Sequence, residues 1–230
     1  MREIVLDTET TGLDPAKGDR IVEIGAVELI NHLATGATFH TYINPEREVP
    51  AEAEAVHGLS TAFLKDKPMF AAIAGDFMAF IAGDPLIIHN ASFDVAFLNA
   101  ELDYLAFSPI LPERVVDTLQ IARRKHPMGP NSLDALCKRY GVDNSKRTRH
   151  GALLDSELLA EVYLELIGGR QTALGLTITG QKQPNINSTS TAIGVRPQSL
   201  PSRLTNEERS AHAAFVEGLG PAAIWTKITD

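Results

Sequence analysis

The chain has 230 residues, 44% of them hydrophobic and 22% charged, which is ordinary globular usage; it excludes wholesale disorder and leaves room for one sizeable domain plus an appendage. No apolar run approaches the roughly 18 residues that a membrane span needs, and no signal-peptide pattern precedes the strand-like Ile4-Val5-Leu6. The single cysteine, Cys137, excludes an intrachain disulfide framework and fits a cytoplasmic compartment. The net charge of −8 argues against binding nucleic acid by bulk electrostatics, though not against a small site charged by metal ions.

In chain order, residues 4–10, 20–30 and 38–43 read as strands, the last two joined by a turn over 31–37, and connections this short join antiparallel neighbours. Residues 68–81 read as a helix and 85–89 as a short buried strand of Leu and Ile. Three further helices follow at 92–105, 132–140 and 152–167, the last two closed by Gly141 and by Gly168-Gly169. The expected fold is α/β: three antiparallel strands plus parallel strands in one mixed sheet, flanked by helices. Between 177 and 203, 18 of 27 residues are Gly, Pro, Ser, Thr, Asn or Gln and aromatics are absent, so this stretch reads as a flexible linker. Residues 171–230 carry five basic and four acidic side chains, which leaves 16 basic and 25 acidic ones, net −9, in 1–170. Beyond the linker, Thr205-Asn206-Glu207-Glu208 is a capping-box pattern that opens a short helix to about Glu217.

The chemistry gathers on acidic residues. Side chains alternate along a strand, so Val5, Asp7 and Glu9 share one face of the first strand and Ile4, Leu6 and Thr8 the other. Two carboxylates on one face of a central strand repel unless a cation lies between them; alternatively, Glu9 sits at the exposed strand end and only Asp7 needs explaining. In 92–105 the apolar stripe Leu98, Leu102, Leu105 places Asp94 one turn before it. In 152–167 the stripe Leu158/Leu159, Val162, Leu166 begins at Asp155. Both aspartates lie in a first helical turn, where the helix dipole favours them, but on the inward face, where an unpaired charge is expensive. Two such carboxylates converging with two from a strand select hard cations, Mg²⁺ or Mn²⁺, over zinc. His150, ahead of the last helix in Arg149-His150-Gly151, is a surface loop residue when taken alone and a natural proton acceptor beside a metal cluster.

Asp7-x-Glu9 in DTETTG, Asp94 in HNASFD and His150-x4-Asp155 resemble, in order and spacing, the three motifs of the DEDDh (DnaQ-like) exonuclease superfamily. The wider text, including IVEIGAVEL, VHGLS and the run from Asn131 to Leu164, is similar to the epsilon, or proofreading, subunit family of bacterial DNA polymerase III over essentially all of 1–170. The resemblance implies a ribonuclease-H-like fold and 3′→5′ hydrolysis of DNA with release of nucleoside 5′-monophosphates. It implies two divalent cations held by Asp7, Glu9, Asp94 and Asp155, with His150 taking the proton. It also implies contacts of Asp7, Glu9, Asp155, Glu52 and His57 with the terminal nucleotide. Read from the residues alone, Glu52 is a solvated helix residue and His57 a cap near Gly58. Asn90 precedes Asp94 at a strand end, where ligand contacts are common, and Asp117 reads as an N-cap or supporting residue. The basic runs Arg123-Arg124-Lys125 and Lys146-Arg147-x-Arg149 read as solvated faces, the second near enough to His150 to meet a DNA backbone.

Four segments follow: an exonuclease domain at 1–170, a peptide at 171–176, the linker at 177–203 and a docking segment at 204–230. Gln171, Leu174 and Leu176 are similar to the peptides that dock on a sliding clamp, or else simply cap the last helix. The segment from Thr205 resembles the one by which the epsilon family binds the polymerase (alpha) subunit, with Phe215 and Trp225 as apolar anchors on a helix too short to be stable alone. Two other readings stay open: a stand-alone DEDDh nuclease acting on single-stranded DNA or short RNA, which has no use for the tail, and a scaffold subunit whose carboxylates are structural.

Overall fold

In a computed structural model of the chain, residues 1–168 and 204–220 are described. The chain divides into two units, Met1–Leu176 and Thr177–Asp230.

In the first unit, β1 (Arg2–Thr10) is the central strand of a five-stranded sheet. It pairs antiparallel with β2 (Ile21–Ile30), which pairs antiparallel with β3 (Leu33–Tyr42). Helices α1 (Ala51–His57), α2 (Thr61–Leu64) and α3 (Phe70–Ile81) follow. The chain then enters β4 (Leu86–Ile88), parallel to β1, and α4 (Ser92–Tyr104). The edge strand β5 (Val115–Asp117), parallel to β4, leads into α5 (Thr118–Lys125), α6 (Leu133–Tyr140) and α7 (Ala152–Leu166). The strand order is β3-β2-β1-β4-β5, the mixed sheet expected from the sequence.

Strand alternation builds both layers of the core. Ile4, Leu6, Ile24 and Ala26 pack on one face against Phe70, Phe77, Phe97, Leu98 and Leu102 of α3 and α4. Val5, Val27 and Leu29 pack on the other face against α5, α6 and α7. Each fully buried Phe or Leu contributes roughly 1.5–3 kcal/mol, so the two faces fix the register of β1 and with it which way Asp7 and Glu9 point. A partly buried ion pair holds α4 to the start of β2: Arg20 Nε and Nη2 donate to Glu101 Oε1 and Oε2 at 2.6 and 2.8 Å.

Several elements differ from the sequence reading. The seven-residue turn at 31–37 is a two-residue hairpin of Asn31 and His32, both at positive φ (51° and 68°), and β3 begins at Leu33. That strand is an exposed sheet edge, so no hydrophobic alternation marks it. Helix α1 and the β5–α5 pair are short, and α5 ends in the basic run Arg123-Arg124-Lys125; it starts on the Asp117 N-cap, which accepts from Leu119 N and Gln120 N at 2.9 and 3.4 Å.

The second unit contributes α8 (Asn206–Gly218), opened by the expected capping box of Thr205 and Glu208. Phe215 on it is 64% exposed. Gln171, Leu174, Leu176 and Trp225 lie outside the described residues.

Candidate active site

The carboxyl end of β1 delivers two acidic side chains to one face of the sheet. Asp7 is partly buried and Glu9 buried, and Glu9 lies directly across from Glu23 of β2 in the antiparallel register. Glu23 is itself buried and bonded to His40 of β3, Nε2 to Oε1 at 2.7 Å. Asp155 enters in the first turn of α7 on the same face as Asp7 and Glu9. The approach is close because Gly25, the cross-strand partner of Asp7, has no side chain. A Cβ there would stand 2.1 Å from Leu153 N, and Ser156 Oγ donates to the Gly25 carbonyl at 2.9 Å. Asp94 arrives from the other face. Thr8, on the opposite side of β1 from Asp7, donates to Asp94 Oδ1 from its backbone N (3.0 Å) and from Oγ1 (2.7 Å).

Burial and crowding raise the proton affinity of three of the four carboxylates. Burial, then the negative charges of Asp94, Glu9 and Asp155, holds Asp7 well above the usual carboxylate range. Glu9 is pushed up to about 8 by burial and by the charges of Asp155 and Glu23. Asp94 is raised to about 7 by burial, against the lowering effect of the Thr8 hydrogen bonds. Asp155 goes the other way. Burial pushes its carboxyl up, but hydrogen bonds from Arg147 and His150, with their charges, outweigh it and hold Asp155 low. The Arg147 guanidinium grips Asp155 in two bonds and reaches His150 Nδ1 at 2.8 Å.

Among the described residues, Glu9, His150 and Asp155 each offer a ligand atom within 4.8 Å of the others. Asp7 adjoins this trio, and Asp94 faces it from across the strand. His150 is exposed, and its backbone N donates to Val56 O at 3.3 Å, which ties the loop to the end of α1.

Beside Glu9 opens a cavity of about 500 Å³ lined by Thr10, Leu13, Glu52, Val56, His57 and Phe93 among others. Glu52 is exposed at its rim. His57 is buried, its Nδ1 accepts from Leu59 N at 3.0 Å, and burial lowers its pKa so that the ring stays neutral. Asn90 does not share this cavity. At φ 66° its backbone N donates to Asp117 Oδ1 at 3.2 Å, and it lines a separate hollow with His89, Arg123 and Asn131.

Arg147 is the residue that the charge pattern misplaces: a basic run read as a solvated face contains a guanidinium only 7% exposed. Glu23 and Thr8 are likewise unmarked by the sequence. The period of two along β1 does place Thr8 opposite Asp7, and that is the signal by which its partnership with the α4 side could be read.

A family model described as Exonuclease matches residues 4–163. The chain is 50% identical to DNA polymerase III subunit epsilon of Rickettsia felis over 222 residues, covering 95% of this chain and 97% of that one. It is 44% identical to the same subunit of Escherichia coli (strain K12), covering 97% of each. The chain belongs to the DNA polymerase III epsilon-subunit family of exonucleases. Among solved structures, exonuclease X in complex with 5′-overhanging duplex DNA superposes with a TM-score of 0.57 at 25% identity, covering 73% of this chain and 92% of that one. The nuclease domain of 3′hExo, a DEDDh family member bound to rAMP, gives 0.62 at 18% identity, covering 72% and 91%, and shares the fold. The epsilon-family match spans nearly the whole chain, whereas these structural likenesses cover about three quarters of it.

Proposed function

We propose that this epsilon-family exonuclease is the proofreading subunit of a bacterial replicative polymerase, hydrolysing the 3′-terminal nucleotide of a mispaired or single-stranded DNA end and releasing it as a nucleoside 5′-monophosphate. The observation that carries the reading is the clustering of Asp7, Glu9, Asp94 and Asp155 at the end of one strand, with Glu9 pushed to about 8 and Asp94 to about 7. Carboxyls that take up protons this readily mark a site short of positive charge. An all-carboxylate set fits two hard cations, Mg²⁺ or Mn²⁺. When bound, such a pair stabilises the attacking and leaving oxygens of an in-line displacement.

The chain's own residues do the rest. Asp7, Glu9 and Asp155 would hold one cation, and Asp7 with Asp94 the other. His150, exposed at the rim, takes the proton of the attacking water. The cavity beside Glu9 receives the terminal nucleoside, its apolar wall (Leu13, Val56, Phe93) against the base and its polar groups, Glu52 and a neutral His57, against the sugar. A site that is cationic when loaded meets phosphate despite a chain charge of −8. The capped helix α8 with Phe215 exposed supports docking of the tail, Trp225 included, on the polymerase (alpha) subunit, and Gln171, Leu174 and Leu176 supply a sliding-clamp peptide. Such a protein works in the cytoplasm.

The test is shortening of a 5′-labelled primer with a mispaired 3′ end, by wild type and Asp7→Ala, in Mg²⁺, Mn²⁺ or EDTA. A ladder that shortens from the 3′ end and disappears with EDTA and in the variant is expected. No shortening with either metal would overturn the reading.

A further inference from the structure

Arg147 lies on the loop between α6 and α7, three residues before His150 and eight before Asp155. All three of its nitrogens are engaged. Nε and Nη2 donate to the two oxygens of Asp155 at 2.5 and 2.7 Å. The same Nη2 lies 2.8 Å from His150 Nδ1, and Nη1 meets Asp134 Oδ2 of α6 at 2.8 Å. The same Nδ1 lies 3.3 Å from Asp155 Oδ2, so guanidinium, ring and carboxylate meet at one point. One buried cation therefore engages both groups that the third motif contributes, the carboxylate and a ring nitrogen.

An ion held by Glu9 and Asp155, whose ligand atoms lie within 4.8 Å of each other, would crowd a guanidinium already seated on Asp155. Like charges at such separations repel strongly in a site of low dielectric. The guanidinium also meets a need of the unloaded site: without it, Asp155 would be an uncompensated buried charge beside three further carboxylates.

Resting on the two-cation reading above, we propose that Arg147 is a positioning residue, the resident counter-cation of Asp155 seated also against His150, and that a divalent cation displaces it. Asp134, more than half exposed on α6, is the anchor about which the side chain pivots. Loading then breaks the Arg147–Asp155 pair, so the site binds its cation more weakly than its carboxylates alone would.

The experiment is Mn²⁺ binding to the full chain without DNA, by electron paramagnetic resonance of free Mn²⁺ and by calorimetry. Wild type is set against Arg147→Met, Arg147→Lys and Asp155→Asn, with melting temperatures in EDTA and in Mn²⁺. Arg147→Met should melt lower in EDTA, bind Mn²⁺ about tenfold more tightly, the equivalent of one charge-assisted hydrogen bond no longer broken, and gain more from Mn²⁺ on melting. Arg147→Lys, which keeps the charge but loses the fork, should fall between it and wild type. Unchanged or weaker Mn²⁺ binding by Arg147→Met, while Asp155→Asn binds poorly, overturns the displacement and leaves the cation site standing. Full Mn²⁺ binding by Asp155→Asn overturns the site itself. If Arg147→Met does not fold in EDTA, Arg147→Lys decides alone: tighter binding than wild type supports displacement, and equal or weaker binding refutes it.

Discussion

Glu9 shows how a single side chain carries the electrostatic state of the site. Its carboxyl titrates near 4.5 when unfolded and near 8 when folded, so between those values the folded chain keeps a proton that the unfolded chain has lost. Stability from this group is present at low pH and is lost as pH rises through that window; Asp94, raised to about 7, adds to the same slope. Asp155, held low, works in the opposite sense, and its contribution is lost as pH falls through its folded value. In EDTA the melting temperature should therefore fall between about pH 5 and pH 8. Mg²⁺ should flatten the slope by replacing protons with cations, and Glu9→Gln should remove part of it. Melting curves in EDTA that rise over that range, or a slope indifferent to Glu9→Gln, would contradict this account. The acidic motif residues were legible in the sequence because strand and helix periods place them inward. Arg147 was not, because a charge run looks the same whether its middle member is solvated or folded back onto a carboxylate eight residues on.

At the scale of elements, the contact between β2 and the first turn of α7 sets where Asp155 stands. Gly25 permits that contact, since an added Cβ would lie 2.1–2.4 Å from backbone atoms of Ala152 and Leu153. Gly25→Ala should cost about 1–3 kcal/mol by overpacking and also lower kcat, because α7 must retreat and take Asp155 with it. Gly75→Ala, in the interior of α3 with open space around it, should instead stabilise by up to about 1 kcal/mol and leave turnover unchanged. Urea unfolding and single-turnover cleavage of both variants check the pair; equal turnover in the two would dissociate α7 placement from activity. Helices α3, α4, α6 and α7 were readable because their apolar stripes run long. The hairpin edge β3 and the short α1 were not, since exposed or brief elements leave little periodicity to read, and in α5 the basic run Arg123-Arg124-Lys125 reads as a solvated face.

For the molecule as a whole, charge and composition divide the chain more sharply than length does, with net −9 up to residue 170 and a polar, aromatic-free stretch beyond 177. Deleting 177–230 should leave the melting temperature and exonuclease rate of the remainder within experimental scatter while abolishing co-elution with the polymerase subunit. Co-elution that survives the deletion would move the docking surface into the exonuclease unit. The sequence by itself determined the α/β class and the mixed sheet, and it pointed to the five motif residues and to a division of the chain, because periodicity, caps and motif spacing are local properties that a linear reading captures. Only the tertiary structure decided that Asp94 reaches the site through Thr8 from the far face of β1, that Asn90 lines a different hollow from Glu52 and His57, and that Arg147 is spent on Asp155. Those facts depend on which strands are neighbours and how closely a helix can approach them, and burial makes each such pairing count, since a charge removed from water must find its partner wherever the fold has placed one.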